Sequence, residues 1–424
     1  MKKILIILTF LASLLTALYG QNKTSFLKME NETYAFFVQK QWDSLIQKSK
    51  IAKQQNMQSY TLDLRFGAAY YHKKRYRKAL QYFENLDLSQ SQDLLLMEYR
   101  YYAYLFSGRF VDARKLCVDY QNLAEKSDFC SGDAFGMTGV ESKHYFFPQK
   151  LPEEENIDSI QTSTKQRDYY AFYFDFQPLK NWKFTLAPMW MKEENQYRNR
   201  DWEISGWEEK VNQNHLYLST QYLLGYGKRF WLNDHYILTN SIAIPEDTLT
   251  DLYSEGKNEK HIFGFFYQQN AGNLDFTAGV NYSPQDTAGM FYPSIGITWY
   301  PWGNDRLYFY TNVMYQAQRQ SKPNPLIIKH KIGLKLIKNL WAEPFGMYGS
   351  TQNYYDDNGY VIYSQQNSMK YYYGINLQFL ILKKCLLYAS FQQFNESIKV
   401  KIDDNYQQYD IPSGSVLFGI KYKL

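Results

Sequence analysis

The chain has 424 residues, of which 18% are aromatic and 41 are tyrosine, with a mean hydropathy of −0.53 and a formal net charge of +5. That length exceeds one small core and implies at least two units, while so modest a charge gives no support to nucleic acid as a partner. Past residue 20 no run of about 18 apolar residues occurs. This excludes a helical inner-membrane protein but not a β-barrel, whose strands turn only every second residue to lipid.

Lys2-Lys3 followed by the apolar stretch Ile4 to Leu15 reads as a secretory signal peptide over residues 1–20, with cleavage expected after Gly20. Leu18 is larger than that position usually takes, and an uncleaved anchor helix is the alternative, disfavoured by the short apolar run. No Cys follows the apolar stretch, so a lipid-anchored lipoprotein is not expected.

Residues 21–128 read as a helical domain with an internal period. Trp42, Tyr76 and Phe110 stand 34 apart, each after a basic or polar residue in a turn, and Ala79 recurs as Ala113 at the same interval. Leu64 to Phe83 resembles the tetratricopeptide repeat, with Gly67 and Ala68 at its small helix-A positions, Tyr71 as the later aromatic and Ala79 as the small helix-B residue. Tyr99 to Ala113 repeats the pattern with Tyr101 where Gly is preferred, and a first, degenerate unit surrounds Phe36 to Lys53. One helical hairpin cannot bury both faces, so neighbours stack, and about three units is the minimum for stability. Tyr71, Tyr76, Tyr82 and Phe83 then read as core between repeats. The concave face of such a stack would dock a periplasmic protein partner.

Three Cys are too few for a disulfide framework. Cys117 and Cys130 are close enough in sequence to pair or to remain buried thiols, and Cys385 is left over at the start of an expected strand. No Cys or His pair has zinc-ligand spacing. Neither metal nor cofactor is expected.

Residues 129–424 alternate apolar and polar positions in segments separated by short turns and longer polar loops in rotation, the pattern of a transmembrane β-barrel. Strands are expected over 134–147, 167–177, 182–191, 214–226, 229–243, 259–269, 274–283, 290–300, 307–317, 326–337, 340–351, 369–381, 385–396 and 412–424. That count of fourteen is even, as single-chain bacterial barrels require. The fold class is thus α plus β: a short all-α solenoid, then an antiparallel barrel. Turns such as Pro178 to Asn181, Ala271 to Asn273 and Lys338-Asn339 are short, whereas Lys192 to Val211 and Pro245 to Lys260 are long and polar. Trp182, Trp302, Trp341, Tyr226 and Tyr300 gather at the short-turn ends as an expected interfacial girdle. A water-soluble β-sandwich could also alternate, but would not set such dense aromatics on one face of successive strands.

The face opposite the lipid set carries Tyr173, Tyr217, Tyr292, Tyr308, Tyr310 and Tyr372 with several Asn and Gln. Tyr faces stack on sugar rings and amides bond to hydroxyls, so a saccharide cargo suits such a lumen; alternatively Tyr merely fills a narrow barrel. Lys329, Lys331 and Lys335 alternate with Ile328, Ile332 and Leu334, which points a short basic stripe inward. Lys and Arg crowd the short-turn side, while Glu153 to Glu155, Glu193, Glu194, Glu208, Glu209, Asp356 and Asp357 are assigned to long loops. The basic side either snorkels to lipid phosphates or attracts anionic cargo. His215 and Ser219 share the lumen face but stand about 13 Å apart along the strand, too far for a catalytic hydrogen bond, so enzymatic activity is not expected.

A signal peptide, tetratricopeptide repeats and a barrel, in that order, resemble a class of Gram-negative outer-membrane proteins that includes exopolysaccharide exporters with periplasmic repeats. The resemblance rests on the repeat and the barrel pattern, and no family site residue carries over. It implies an outer-membrane channel or export component with its N-terminal domain in the periplasm. A non-conducting adaptor that assembles an envelope complex is the rival, and an outer-membrane lipid-modifying enzyme a third. The chain departs from large exporters in having about three repeats, and in ending on Leu424 where an aromatic is customary.

Overall fold

A computed structural model describes residues 25–127, 129–130, 136–146, 161–198, 207–245, 254–284, 289–318, 326–356, 360–381, 384–402 and 405–423. The expected signal peptide, Glu153 to Glu155, Asp357 and Leu424 lie outside them. The chain divides into two compact units, one of Met1–Gly132 with Trp302–Asn304, which holds the helices, and one of Asp133–Pro301 with Asp305–Leu424, which holds the barrel.

The helical unit comprises α1 (25–38), α2 (Trp42–Gln54), α3 (Tyr60–His72), α4 (Tyr76–Phe83), α5 (Leu88–Ser91), α6 (Leu94–Phe106), α7 (Phe110–Asp119) and α8 (Gln121–Ala124). Ser59 caps α3 by accepting from the Leu62 amide, and Asp93 caps α6 by accepting from Leu95 and Leu96. One turn geometry recurs three times. Lys40, Lys74 and Gly108, 34 residues apart, all have positive φ (57°, 60° and 77°). The next amide in each case, from Gln41, Arg75 or Arg109, bonds back to the carbonyl of Phe36, Tyr70 or Tyr104 at 2.8, 2.9 and 2.8 Å. This is the Schellman closure of a helix C-terminus, and it delivers the chain straight into α2, α4 and α7.

Trp42, Tyr76 and Phe110 therefore open those three helices. Ala68, Ala79 and Ala113 are fully buried between helices, with Leu45, Leu62, Phe66, Leu80, Phe83, Leu96 and Leu116 around them. A Cβ on Gly67 would come within 2.3 Å of the Phe83 ring, so close helix contact there requires glycine. Phe110 departs from its equivalents, being 63% exposed; among the described residues only the four-residue α8 follows its helix. Cys117 and Cys130 are joined in a disulfide with a Cα–Cα separation of 5.9 Å, and Cys385 is free.

The barrel has fourteen antiparallel strands: β1 (Gly136–Phe146), β2 (Gln161–Leu179), β3 (Trp182–Arg198), β4 (Trp207–Gly225), β5 (Lys228–Pro245), β6 (Ser254–Ala271), β7 (Leu274–Ser283), β8 (Met290–Trp299), β9 (Leu307–Tyr315), β10 (Leu326–Ile337), β11 (Leu340–Asp356), β12 (Val361–Ile381), β13 (Cys385–Ile402) and β14 (Asn405–Lys423). Ala317–Gln318 continues β9 beside β8. Each strand pairs with the next, and β1 closes the cylinder on β14 with Val140 opposite Ile420. Closure leaves no free edge.

The alternation resolves into two faces. Phe172, Phe174, Phe176, Leu216, Leu218, Phe263, Phe265, Ile295, Ile297, Phe309, Ile375, Leu377, Phe418 and Ile420 are all exposed on the outside. A contiguous apolar belt of this extent is far larger than a soluble surface carries. Trp182 stacks beside Phe184 and Tyr222 on that outer face, as a girdle residue should. Trp341 and Tyr300 do not: Trp341 lies under the Lys335 ammonium and Tyr300 packs on Tyr308, both on the inward-facing side. Their positions in the two-residue period, rather than their nearness to a turn, decide the face.

Glu193, Glu194, Glu208 and Glu209 belong to β3 and β4 rather than to a loop. Beyond the belt both faces of a strand meet water or charge partners, so the apolar alternation ends while the backbone ladder continues. Arg167 of β2 bonds Glu193 of the adjacent β3 at 2.5 Å, and Lys165 of β2 reaches past β3 to pair with Glu208 of β4.

Candidate functional site

The sequence-derived lumen residues fall into three groups. Tyr173 of β2, Tyr217 of β4 and Lys331 of β10 line one cavity of about 380 Å³, together with Lys183, Gln221, Trp231, Gln378, Tyr388 and Lys421. Most of these sit near the short-turn ends of their strands. Tyr292 and Tyr372 instead lie in a buried apolar cluster with Ile237, Ile262, Met314, Ile327, Phe345, Met347 and Phe394. Tyr308 donates to Glu343, Lys331 lies 3.7 Å from the same carboxylate and 5.8 Å above the Tyr310 ring, and Lys335 stacks 4.2 Å from the Trp341 centroid. A second hollow of about 670 Å³ is lined by Val140, Phe172, Leu377, Phe379 and Phe418, all residues of the outer belt.

The element that organises the interior is the outer end of the β11–β12 hairpin. Met347 of β11 pairs with both Lys329 and Tyr372, which sets all three at one level of the wall. Asp356 follows Met347 by nine positions, about 30 Å along an extended strand. Yet the Asp356 carboxylate accepts from Lys329 Nζ and, at 2.8 Å, from the Tyr372 hydroxyl. The strand must therefore double back into the barrel. The bend falls where register slips twice, between Tyr348 and Asn353, beside Gly349 at φ 145°. A Cβ on Gly349 would stand 2.7 Å from the Leu326 carbonyl oxygen and 2.9 Å from Ile327 Cα, so the fold-back passes within backbone distance of β10.

Two contacts hold the hairpin tip. Lys329 and Asp356 are buried, at 4% and 7% exposure, so their pairing excludes water; Tyr355 beside them is fully buried, edge-on to Tyr292 at 4.6 Å. On the other side Tyr360 donates to Glu141 at 2.9 Å and sets its ring against Tyr217 at 5.1 Å and Tyr173 at 6.5 Å. Glu141 also accepts from Tyr169 at 3.1 Å and from Tyr388. A buried ion pair and a triply bonded carboxylate each become costly if one partner leaves, by about 3–5 kcal/mol for the pair. The hairpin is thus fastened on both flanks, at Asp356 and at Tyr360, and Asp356 lies inside the barrel, not in an outer loop.

His215 and Ser219 engage different partners: His215 Nδ1 meets His235 at 3.0 Å, and Ser219 Oγ donates to Asn233 at 2.6 Å. Among the described residues no cluster of three metal-ligating side chains occurs. The sequence reading missed Asp356, Tyr360 and Glu141. A signal was present, because Tyr354-Tyr355 and Tyr360-Val-Ile-Tyr363 put aromatic and β-branched residues into a segment assigned to water.

No protein-family model and no curated protein matches the sequence. Solved outer-membrane barrels have a similar fold. The Pseudomonas putida toluene transporter TodX aligns over 70% of this chain and 91% of its own, with 7% identity and a TM-score of 0.46. A Pseudomonas aeruginosa FadL homologue aligns over 69% and 90%, at 8% identity and a TM-score of 0.44. A bacterial polysaccharide outer membrane secretin aligns over 69% and 99%, at 10% and 0.35. At such identities the likeness is one of fold alone.

Proposed function

We propose that this chain is an outer-membrane channel or export component, held shut in the described state by its own β11–β12 hairpin. Its helical unit is read as tetratricopeptide-like repeats that dock a partner in the periplasm. The observation that carries the reading is the hairpin fastened inside the barrel at Asp356 and Tyr360. The closed barrel encloses a polar cavity, and the hairpin tip occupies the interior beside it through two fastened contacts. The apolar belt supports a membrane setting. The turn repeated every 34 residues supports the repeat assignment.

Planar-bilayer recording tests it. The full-length chain should be quiet, and a variant with residues 352–364 replaced by a short Gly-Ser turn should conduct in discrete steps. Silence from both would count against a channel and favour the second reading, a non-conducting adaptor. That reading draws on the same buried pair, which would serve simply to fill the barrel. Crosslinking pull-down of the intact chain against one lacking residues 24–126 then tests the docking role, since a partner retained without the helices would remove it.

A further inference from the structure

We infer that the cavity beneath the hairpin tip is a binding site for a neutral polyhydroxylated ring, a pyranose either free or at the end of a chain. The inference rests on the channel reading only in naming that ligand as cargo. Charge argues first. Four lysines line the cavity, Lys183, Lys329, Lys331 and Lys421. Lys183 is matched by Asp175 at 2.6 Å, Lys329 by Asp356 and Lys331 by Glu343 at 3.7 Å. Lys421 lies over the rings of Tyr173 and Tyr388, at 4.3 and 5.0 Å, beside the Glu141 that Tyr388 bonds. With three of the four lysines paired to carboxylates and the fourth set over tyrosine rings, an anion entering would have to compete with those carboxylates, whereas a neutral ligand meets no such cost.

Unspent hydrogen bonds argue next. Ser390 Oγ is buried in the cavity wall with no partner among the described residues. Gln221 and Gln378 also line the space, and no side-chain hydrogen bond to them occurs among the described residues. Buried polar groups are nearly always paired, so an orphaned hydroxyl near two unengaged amides marks where a ligand's hydroxyls belong. Tyr217 and Tyr173 supply ring faces for the apolar side of a sugar. Their edge-on neighbour Tyr360 belongs to the hairpin, so the ligand would lie against the element that closes the barrel. A volume of about 380 Å³ falls at the small end of ligand pockets.

The test uses the full chain in detergent micelles, titrated by calorimetry with methyl β-glucoside, cellobiose, glucose 6-phosphate and inorganic phosphate. One of the two neutral saccharides should bind, and each phosphate at least tenfold more weakly. Gln378→Ala, at an exposed position, should weaken the saccharide by about three- to tenfold, one hydrogen bond's worth, with heat-modifiable gel migration unchanged. Ser390→Ala is the second variant and should weaken it similarly. No saccharide binding by a folded barrel, or tighter binding of either phosphate, overturns the proposal. Wild-type affinity in both variants overturns it as well. Saccharide binding by a barrel that never conducts keeps the site and removes the channel reading.

Discussion

At Gly67 the tolerance is one methyl group. The Phe83 ring stands where a Cβ would go, and it is held there by stacking on Tyr99 at 5.6 Å. Gly67→Ala should cost about 1–3 kcal/mol through overpacking, and Ala79→Trp, at a fully buried position, at least as much. Limited proteolysis of the helices alongside gel migration of the barrel checks both; helices as resistant as wild type would refute the tight-contact assignment. Ala79 was legible in the sequence, because it recurs as Ala113 after 34 residues; Gly67 was read only from the repeat resemblance, since Tyr101 stands at its equivalent position. His72 was not legible. Its ring stacks on Trp42 at 4.3 Å, and burial, with the Lys40 charge adding to it, holds its pKa below the ordinary value. A base with a depressed folded pKa takes its proton more readily when unfolded. Its contribution is therefore intact above the unfolded value of about 6.5 and declines as pH falls through it. Proteolysis in urea should show the helices weaker at pH 5.5 than at 7.5, and His72→Gln should shrink that difference. An undiminished difference in the variant would assign the effect to other groups.

Among elements, the recurring turn and the folded hairpin differ in how far sequence foretells them. The turn follows from helix-ending chemistry, yet two of its three left-handed positions carry lysine where glycine is the unstrained choice. Lys40→Gly should therefore stabilise the helical unit by about 0.5–1 kcal/mol, readable as a higher urea midpoint for proteolysis; a lower midpoint would mean that the lysine side chain itself is needed there. The fourteen strands were legible because a lipid-facing period of two repeats strongly. Their outer extensions were not, since alternation stops with the lipid while the ladder runs on. The hairpin was illegible for a further reason: Lys329 and Asp356 lie 27 residues apart, and only the bend at Gly349 brings them together. Gly349→Val would drive a side chain into the Leu326 carbonyl in a backbone conformation that valine avoids. The expected result is a released tip: new protease cleavage between residues 350 and 365, with the rest of the barrel still heat-modifiable. A variant as protected as wild type would show that the bend does not depend on glycine.

For the whole molecule, a pore opened through this lumen should show little preference for the sign of an ion, because Lys183, Lys329 and Lys331 each face a carboxylate. Selectivity in a pore follows net lining charge, so the prediction depends on what an opening variant removes. Replacing residues 352–364 takes away Asp356 but leaves Lys329, buried at 4% exposure, without its counter-charge. That variant should favour chloride over potassium slightly. The same replacement combined with Lys329→Met should return the ratio towards one, and Lys329→Met alone should loosen the hairpin, since Asp356 would then be buried without its cation. Reversal potentials under a potassium chloride gradient measure all three. A strong anion preference that survives Lys329→Met would mean that the basic short-turn ends, rather than the paired interior, set the field in the pore, and the balanced-lumen account would have to be abandoned.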